Sequence, residues 1–241
     1  MASTCPPPTA GPPLRALLAA LGPGCVWRPV PGPDGGLLAL GDGANQNFLN
    51  AYLAGLDVAG KSVADLGCNL GYFSFLVRRM GAREVIGLDS TPEIIRVAEA
   101  LAAVHGLTGI RFVVRDFLRQ RPETPCDMAL LIDFIGRRTI AKGRLSDVAA
   151  AATAWGAREL LFTLRPSYPV DELPLPPQAL RRLYPGFVHQ GRFWLLDCLT
   201  ASLGPGWSRR SPADPVGAGP GDGGSVANSG KVPVIYGKTG A

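Results

Sequence analysis

Three stretches of this chain each deliver a carboxylate where a β-strand would end. Ser62–Leu66 (SVADL) carries Asp65 and runs into Gly67 and Gly71; Glu84–Leu88 (EVIGL) ends at Asp89; Ile110–Arg115 (IRFVVR) ends at Asp116-Phe117. Each feature has a matching chemistry. Two glycines around a tight turn let backbone approach a ligand closely, and the helix that follows offers unpaired N–H groups. An acid closing the second strand can accept bonds from both hydroxyls of a ribose. An acid beside an aromatic ring suits the edge and face of an adenine. In an open parallel sheet, ligands sit beyond the carboxyl ends of the strands, so the three acids describe a site shaped for adenosine.

A dinucleotide-dependent oxidoreductase is the competing reading. It needs room for a pyrophosphate, normally in a G-x-G-x-x-G turn, whereas this loop reads D-L-G-C-N-L-G from Asp65 to Gly71. A carboxylate at Asp65 would repel a pyrophosphate and would attract an ammonium group. Electrostatics therefore favours a cationic, amino-acid-bearing nucleoside.

The elements that position these residues follow from pattern. Phe48, Leu49, Tyr52, Leu53 and Leu56 recur at helical spacing from Asn45 to Asp57. Strand and helix then alternate: 62–66, helix 72–80, 84–88, helix 92–105 opened by Thr91-Pro92-Glu93, then 110–115, 127–133, helix 145–155 and 159–164. Such alternation calls for a parallel sheet covered on both faces. A short Pro-initiated helix lies within 174–184, and a second, marked by Phe193, Leu196, Leu199 and Leu203, stops at Gly204-Pro205-Gly206. Two final strands, 207–210 and 231–236, pair antiparallel across a Gly/Pro/Ser/Asp-rich stretch, 211–230, which reads as a flexible hairpin loop. Residues 1–44 read as a Pro/Gly-rich extension with a short helix over Leu14–Leu21 and a linker over 28–36. The working domain is then 45–241.

The motif residues resemble those of the class I S-adenosylmethionine-dependent methyltransferases, over about residues 45–165. The resemblance implies an α/β, Rossmann-like doubly wound fold, with a mostly parallel seven-stranded sheet closed by a C-terminal antiparallel hairpin. It implies S-adenosylmethionine as cofactor. Asp65, Gly67 and Gly71 would lie beneath the methionine and ribose, with Cys68 and Asn69 of the same loop. Asp89 and Ser90 would meet the ribose, and Asp116 and Phe117 the adenine. Asp133, closing the fourth strand, would border the methyl-transfer site as catalytic base or acceptor-orienting group. One residue departs from the common D-x-G-x-G-x-G loop: Asn69 replaces the middle glycine. That variant resembles the loop of FkbM-type O-methyltransferases and of RNA-phosphate methyltransferases, which leaves small molecule and RNA open as acceptors.

Composition narrows the rest. The 241 residues are 46% hydrophobic and carry a net charge of +5, with no block of like charge to mark a nucleic-acid surface. A small-molecule acceptor, methylated on oxygen or nitrogen, is therefore expected; RNA, or a methyltransferase-like module that binds without turnover, is the alternative. Five scattered cysteines and two distant histidines make neither a metal site nor a disulfide framework. No apolar run is long enough to span a bilayer and no leader is evident, so the expectation is a cytoplasmic protein without membrane or metal partners. His189 is a second candidate base. Arg137-Arg138, just after the fourth strand, could receive a carboxylate or phosphate on the acceptor.

Overall fold

The structure is a computed structural model, described for residues 14–41, 47–210 and 231–239. In chain order the elements are α1 (Leu14–Ala19), β1 (Val30–Pro31), β2 (Leu37–Ala39), α2 (Asn47–Ala54), β3 (Ser62–Leu66), α3 (Tyr72–Arg79), β4 (Glu84–Asp89), α4 (Pro92–Val104), β5 (Ile110–Val114) and β6 (Cys126–Leu131). They continue as α5 (Arg137–Ala141), α6 (Leu145–Trp155), β7 (Gly156–Leu164), β8 (Tyr168–Pro169), α7 (Pro177–Leu183), β9 (Val188–His189), β10 (Arg192–Phe193), α8 (Leu195–Leu203), β11 (Trp207–Arg210) and β12 (Val232–Lys238).

Seven strands form one sheet in the order β11-β12-β7-β6-β3-β4-β5. The five from β7 to β5 run parallel, and β12 pairs antiparallel with both β7 and β11, which is the C-terminal hairpin expected from sequence. Side chains alternate across this sheet as a pleat requires. Ala64, Leu66, Ala129, Leu131, Leu160 and Phe162 face one layer, built around α6 and α8. Val63, Val85, Met128, Leu130 and Leu161 face the other, beneath α2 and α3. Both faces are buried, so the strands read as near-continuous apolar runs.

The fold departs from two local expectations, the 28–36 linker and the Thr91 cap, and adds one sheet that no expectation covered. Residues 28–36, expected as a linker, instead open a β-hairpin in which β1 and β2 pair antiparallel around a turn capped by Asp34, whose Oδ1 accepts from the Gly36 N–H at 3.1 Å. Prolines and glycines signalled a break, yet here they form the turn while Val30 packs into the core. Thr91 makes no side-chain cap on α4; Asp89 Oδ1 accepts the Thr91 N–H at 3.0 Å instead. The stretch between β7 and α8 also contains a second sheet, β8-β10-β9, that two-residue strands made invisible to pattern. Its β9–β10 turn is Gln190-Gly191, both at positive φ, as a two-residue hairpin demands.

The N-terminal residues described belong to the same body. Leu18 and Val30 are buried in the cluster that also holds Ile94, Leu101 and Phe112, with α1 lying on α4. The stretch 211–230, read as a flexible loop, lies outside the described residues.

Candidate active site

The site grows from the end of β3. Asp65 is fully buried, and its Oδ2 accepts from the Ser74 hydroxyl of α3 at 2.6 Å. Burial pushes its carboxyl up to about 6; the bonds from Ser74 oppose that rise and the nearby Asp89 charge adds to it. The chain then turns over Gly67 (φ 79) and Gly71 (φ 83). A Cβ on Gly71 would lie 2.5 Å from the Phe112 ring, and one on Gly67 3.1 Å from Phe134. Both positions need left-handed backbone and close approach, which only glycine combines. Asn69 is also left-handed, at φ 49, a conformation asparagine tolerates better than other side chains. Its substitution for glycine adds a tether: Asn69 Nδ2 donates to the Cys25 carbonyl at 2.8 Å.

Asp89 holds this loop against the next strand end. Its Oδ2 accepts from the Asn69 N–H at 3.3 Å while its Oδ1 accepts from Thr91. Each carboxylate oxygen keeps a further lone pair for a ligand hydroxyl. Cys68 is buried, and burial, reinforced by the Asp65 and Asp89 charges, holds its thiol well above the ordinary range. It is a packing residue, not a nucleophile.

Above the loop lies a cavity of about 470 Å³, a size suited to a cofactor. Asp65, Gly67, Cys68, Asn69 and Asp89 line its floor, and Asp133 and Phe134 its far wall. Trp27–Pro31 also lines it, as a cover that no motif or spacing connects with the site. Three contacts pin that cover down: Asn69 to Cys25, the His105 ring to the Pro31 carbonyl at 3.0 Å, and an ion pair between Arg28 and Asp133. No spacing rule links residue 28 to residue 133, so Arg28 had no signal in the sequence.

Asp133 itself sits at φ 57 just past β6. Its N–H donates to Thr163 Oγ1 at 2.7 Å, which fixes the turn to the neighbouring β7. Arg28 engages Oδ2 and Lys231, just before β12, donates to Oδ1 at 2.7 Å. Both oxygens thus face cations. Oδ2, met by Arg28 alone, keeps a lone pair for an acceptor's hydroxyl or amine.

The remaining sequence candidates fall elsewhere. Asp116 does not line the cavity; its Oδ1 caps the Leu118 N–H at 3.0 Å and its Oδ2 pairs with Arg119 at 3.3 Å. Phe117 is buried with its ring 4.9 Å from that of Phe134, and Ser90 is exposed. Neither Phe117 nor Ser90 is in the cavity lining, whereas Phe134 is. His189, exposed on β9, stacks on Trp194 at 5.6 Å and is not in the lining. Among the described residues no group of three or more potential metal ligands occurs, and no helix is long and apolar enough to cross a membrane.

A doubly wound sheet with an acid- and glycine-lined cavity at its carboxyl edge defines a nucleoside-binding α/β domain. The methyltransferase domain family matches residues 57–199, more than half of the chain, and the chain belongs to that family. Its cofactor is S-adenosylmethionine, which the buried Asp65, the two constrained glycines and Asp89 fit. The ribosomal protein L11 methyltransferase of Aeromonas salmonicida is 36% identical over 91 residues, 34% of this chain and 31% of that protein. That of Mannheimia succiniciproducens is 37% identical over 90 residues, 34% of this chain and 30% of that protein. The chain thus matches about a third of the length of these curated relatives. Among solved structures, the bifunctional kinase-methyltransferase WbdD superposes with a TM-score of 0.56 at 17% identity, covering 93% of this chain and 46% of that one. Magnesium protoporphyrin IX methyltransferase of Synechocystis PCC 6803 with bound SAH gives 0.50 at 17% identity, covering 80% and 81%. These two likenesses are of fold.

Proposed function

We propose that this chain transfers a methyl group from S-adenosylmethionine to an oxygen or nitrogen of a small-molecule acceptor held at the carboxyl ends of β6 and β7. The observation that carries this reading is the placement of Asp65, Asp89 and Asp133 around one covered cavity. When bound, the cofactor supplies an electrophilic methyl group on a sulfonium sulfur.

The chain's own residues then have separable tasks. Asp65 receives the cofactor's ammonium group, and Asp89 accepts from the ribose hydroxyls while still holding Asn69. The cover from Trp27 to Pro31 excludes water and limits the geometries open to both reactants. Asp116 and Phe117, which the resemblance assigns to the adenine, lie outside the cavity lining and are given no task in this reading. Asp133 orients the acceptor's hydroxyl or amine toward the methyl, and the remaining lone pair of its Oδ2 can take the proton.

Transfer of tritiated methyl from labelled cofactor into host extract, fractionated into small molecules, RNA and protein, tests the acceptor class. Label in the small-molecule fraction supports the proposal. Label confined to protein, as the names of the L11 methyltransferases would suggest for a full-length relative, or to RNA, overturns the acceptor and keeps the transfer. No label anywhere favours a binding module.

A further inference from the structure

The small sheet β8-β10-β9 and the segment after β6 bring together charges that the methyl-transfer site does not use. Arg137 Nη2 and Arg165 Nη1 donate to the same oxygen of Glu172, Oε2, at 2.6 and 2.7 Å. Arg192 turns its Nε and Nη2 together onto the Ser167 hydroxyl, at 3.1 and 2.8 Å. Arg165 also lies over the Tyr168 ring, 4.6 Å from its centroid. Three guanidinium groups are therefore met by one carboxylate and one neutral hydroxyl. The Nε/Nη2 edge of Arg192 is the fork that ordinarily grips a carboxylate or phosphate through two parallel bonds, and here it is spent on a single oxygen.

None of the three arginines is in the cavity lining; the chain connects the cluster to the Asp133 wall of that cavity. Thr163, which holds the Asp133 N–H, precedes Arg165 by two residues at the end of β7, a step of roughly 7 Å along a strand. Arg137 begins α5, the first helix after Asp133. Arg165 and Arg192 are half-buried; Arg165 directly follows β7, and Arg192 lies in β10, paired with β8. Their positions are thus set by the fold before any ligand arrives, which lowers the cost of binding one.

We infer that Arg165 and Arg192, with Arg137 at the rim, form an anion subsite that holds a carboxylate or phosphate of the small-molecule acceptor. In this subsite Glu172 acts as the internal counter-ion. It keeps the guanidinium groups in place when the acceptor is absent, and an incoming anion competes with it. The Ser167 hydroxyl, now an acceptor from Arg192, can rotate to donate to the ligand. This inference rests on the methyltransferase reading for its meaning but can fail separately from it.

The test is direct titration of the full chain, saturated with S-adenosylhomocysteine, with inorganic phosphate and in a separate arm with acetate. Each is carried to about 10 mM while the arginine Nε–H resonances are followed by NMR. The expected result is saturable shifts of the Arg165 and Arg192 signals by at least one of the two anions, the arm that responds naming the acceptor's charged group. Arg192→Gln should weaken that binding at least about tenfold. Glu172→Gln should strengthen it, because it frees two guanidinium groups from their carboxylate; a purely structural role for Glu172 would not produce that gain. Titrations flat for both anions, or an affinity unmoved by Arg192→Gln and not raised by Glu172→Gln in folded variants, would overturn the inference. Failure to bind S-adenosylhomocysteine in the same samples would instead count against the cofactor site itself.

Discussion

Arg28 and Asp133, 105 positions apart, form an ion pair across the mouth of the cavity, and the Arg28 guanidinium also lies over the Phe73 ring, 5.2 Å from its centroid. The pair joins the N-terminal cover to the acid that ends β6. Arg28→Ala should therefore loosen the cover without unfolding the domain, since Lys231 still neutralises Asp133. Loss of a partly buried pair of this kind is worth about 1–2 kcal/mol, so the dissociation rate of S-adenosylhomocysteine should rise roughly 5- to 30-fold. Stopped-flow fluorescence would measure it; an unchanged rate would mean that residues 27–31 do not close the site.

Asp65 makes cofactor binding dependent on pH. Its carboxyl is raised to about 6 in the folded chain, above the ordinary carboxylate value of about 4 that it regains on unfolding. Between those values the native state holds the extra proton, so this residue's contribution to stability falls as pH rises and is constant above the window. Binding runs the opposite way. The cofactor's ammonium group wants the anion, and affinity should drop by up to about tenfold per pH unit below 6. Asp65→Asn should keep or raise the melting temperature at pH 7.5 and lose that pH dependence along with much of the affinity. Calorimetry at pH 5 and 7.5 on both proteins distinguishes these outcomes.

Gly71 tests the loop geometry. Alanine there must adopt φ 83 and place its Cβ against the buried Phe112. Left-handed strain and overpacking together cost about 2–4 kcal/mol, a fall of roughly 5–15 °C in melting temperature for a domain of this size. Calorimetric melting of Gly71→Ala within a degree or two of the parent would show that the turn relaxes freely.

Asp133→Asn keeps the shape of the residue and removes its charge. Because it also breaks the Arg28 pair, it should weaken cofactor binding no more than Arg28→Ala does, and lose about 10²–10⁴-fold in turnover on whichever fraction accepts the methyl group. Retained turnover with cofactor binding weakened well beyond that of Arg28→Ala would make Asp133 a cofactor contact.

Much of this arrangement was legible in the sequence for a physical reason. Strands buried on both faces read as continuous apolar runs, so β3, β4, β6 and β7 stand out, and the acids and glycines at their ends mark the carboxyl edge. Asp65, Asp89 and Asp133 could be located by that logic alone. Arg28, Thr163 and Lys231 could not, because they reach Asp133 through tertiary folding that leaves no period in the chain. Proline and glycine concealed the β1–β2 hairpin, since the residues that form its turn are those that also mark a linker. Asp116 shows the limit in the other direction: it stands at its strand end as expected, yet its carboxylate is taken up by the Leu118 N–H and Arg119.

The most direct measurement of the central claim is isothermal titration of the full chain with S-adenosylhomocysteine, with NAD as the control ligand, repeated on Asp89→Ala. The cofactor site described here requires micromolar binding of S-adenosylhomocysteine and none of NAD. It also requires a loss of about 1.5–3 kcal/mol in the variant, roughly 10- to 150-fold, as the ribose hydroxyls lose their charge-assisted acceptor. Equal affinity in parent and variant would remove Asp89 from the site, and preferential binding of NAD would contradict the account as a whole.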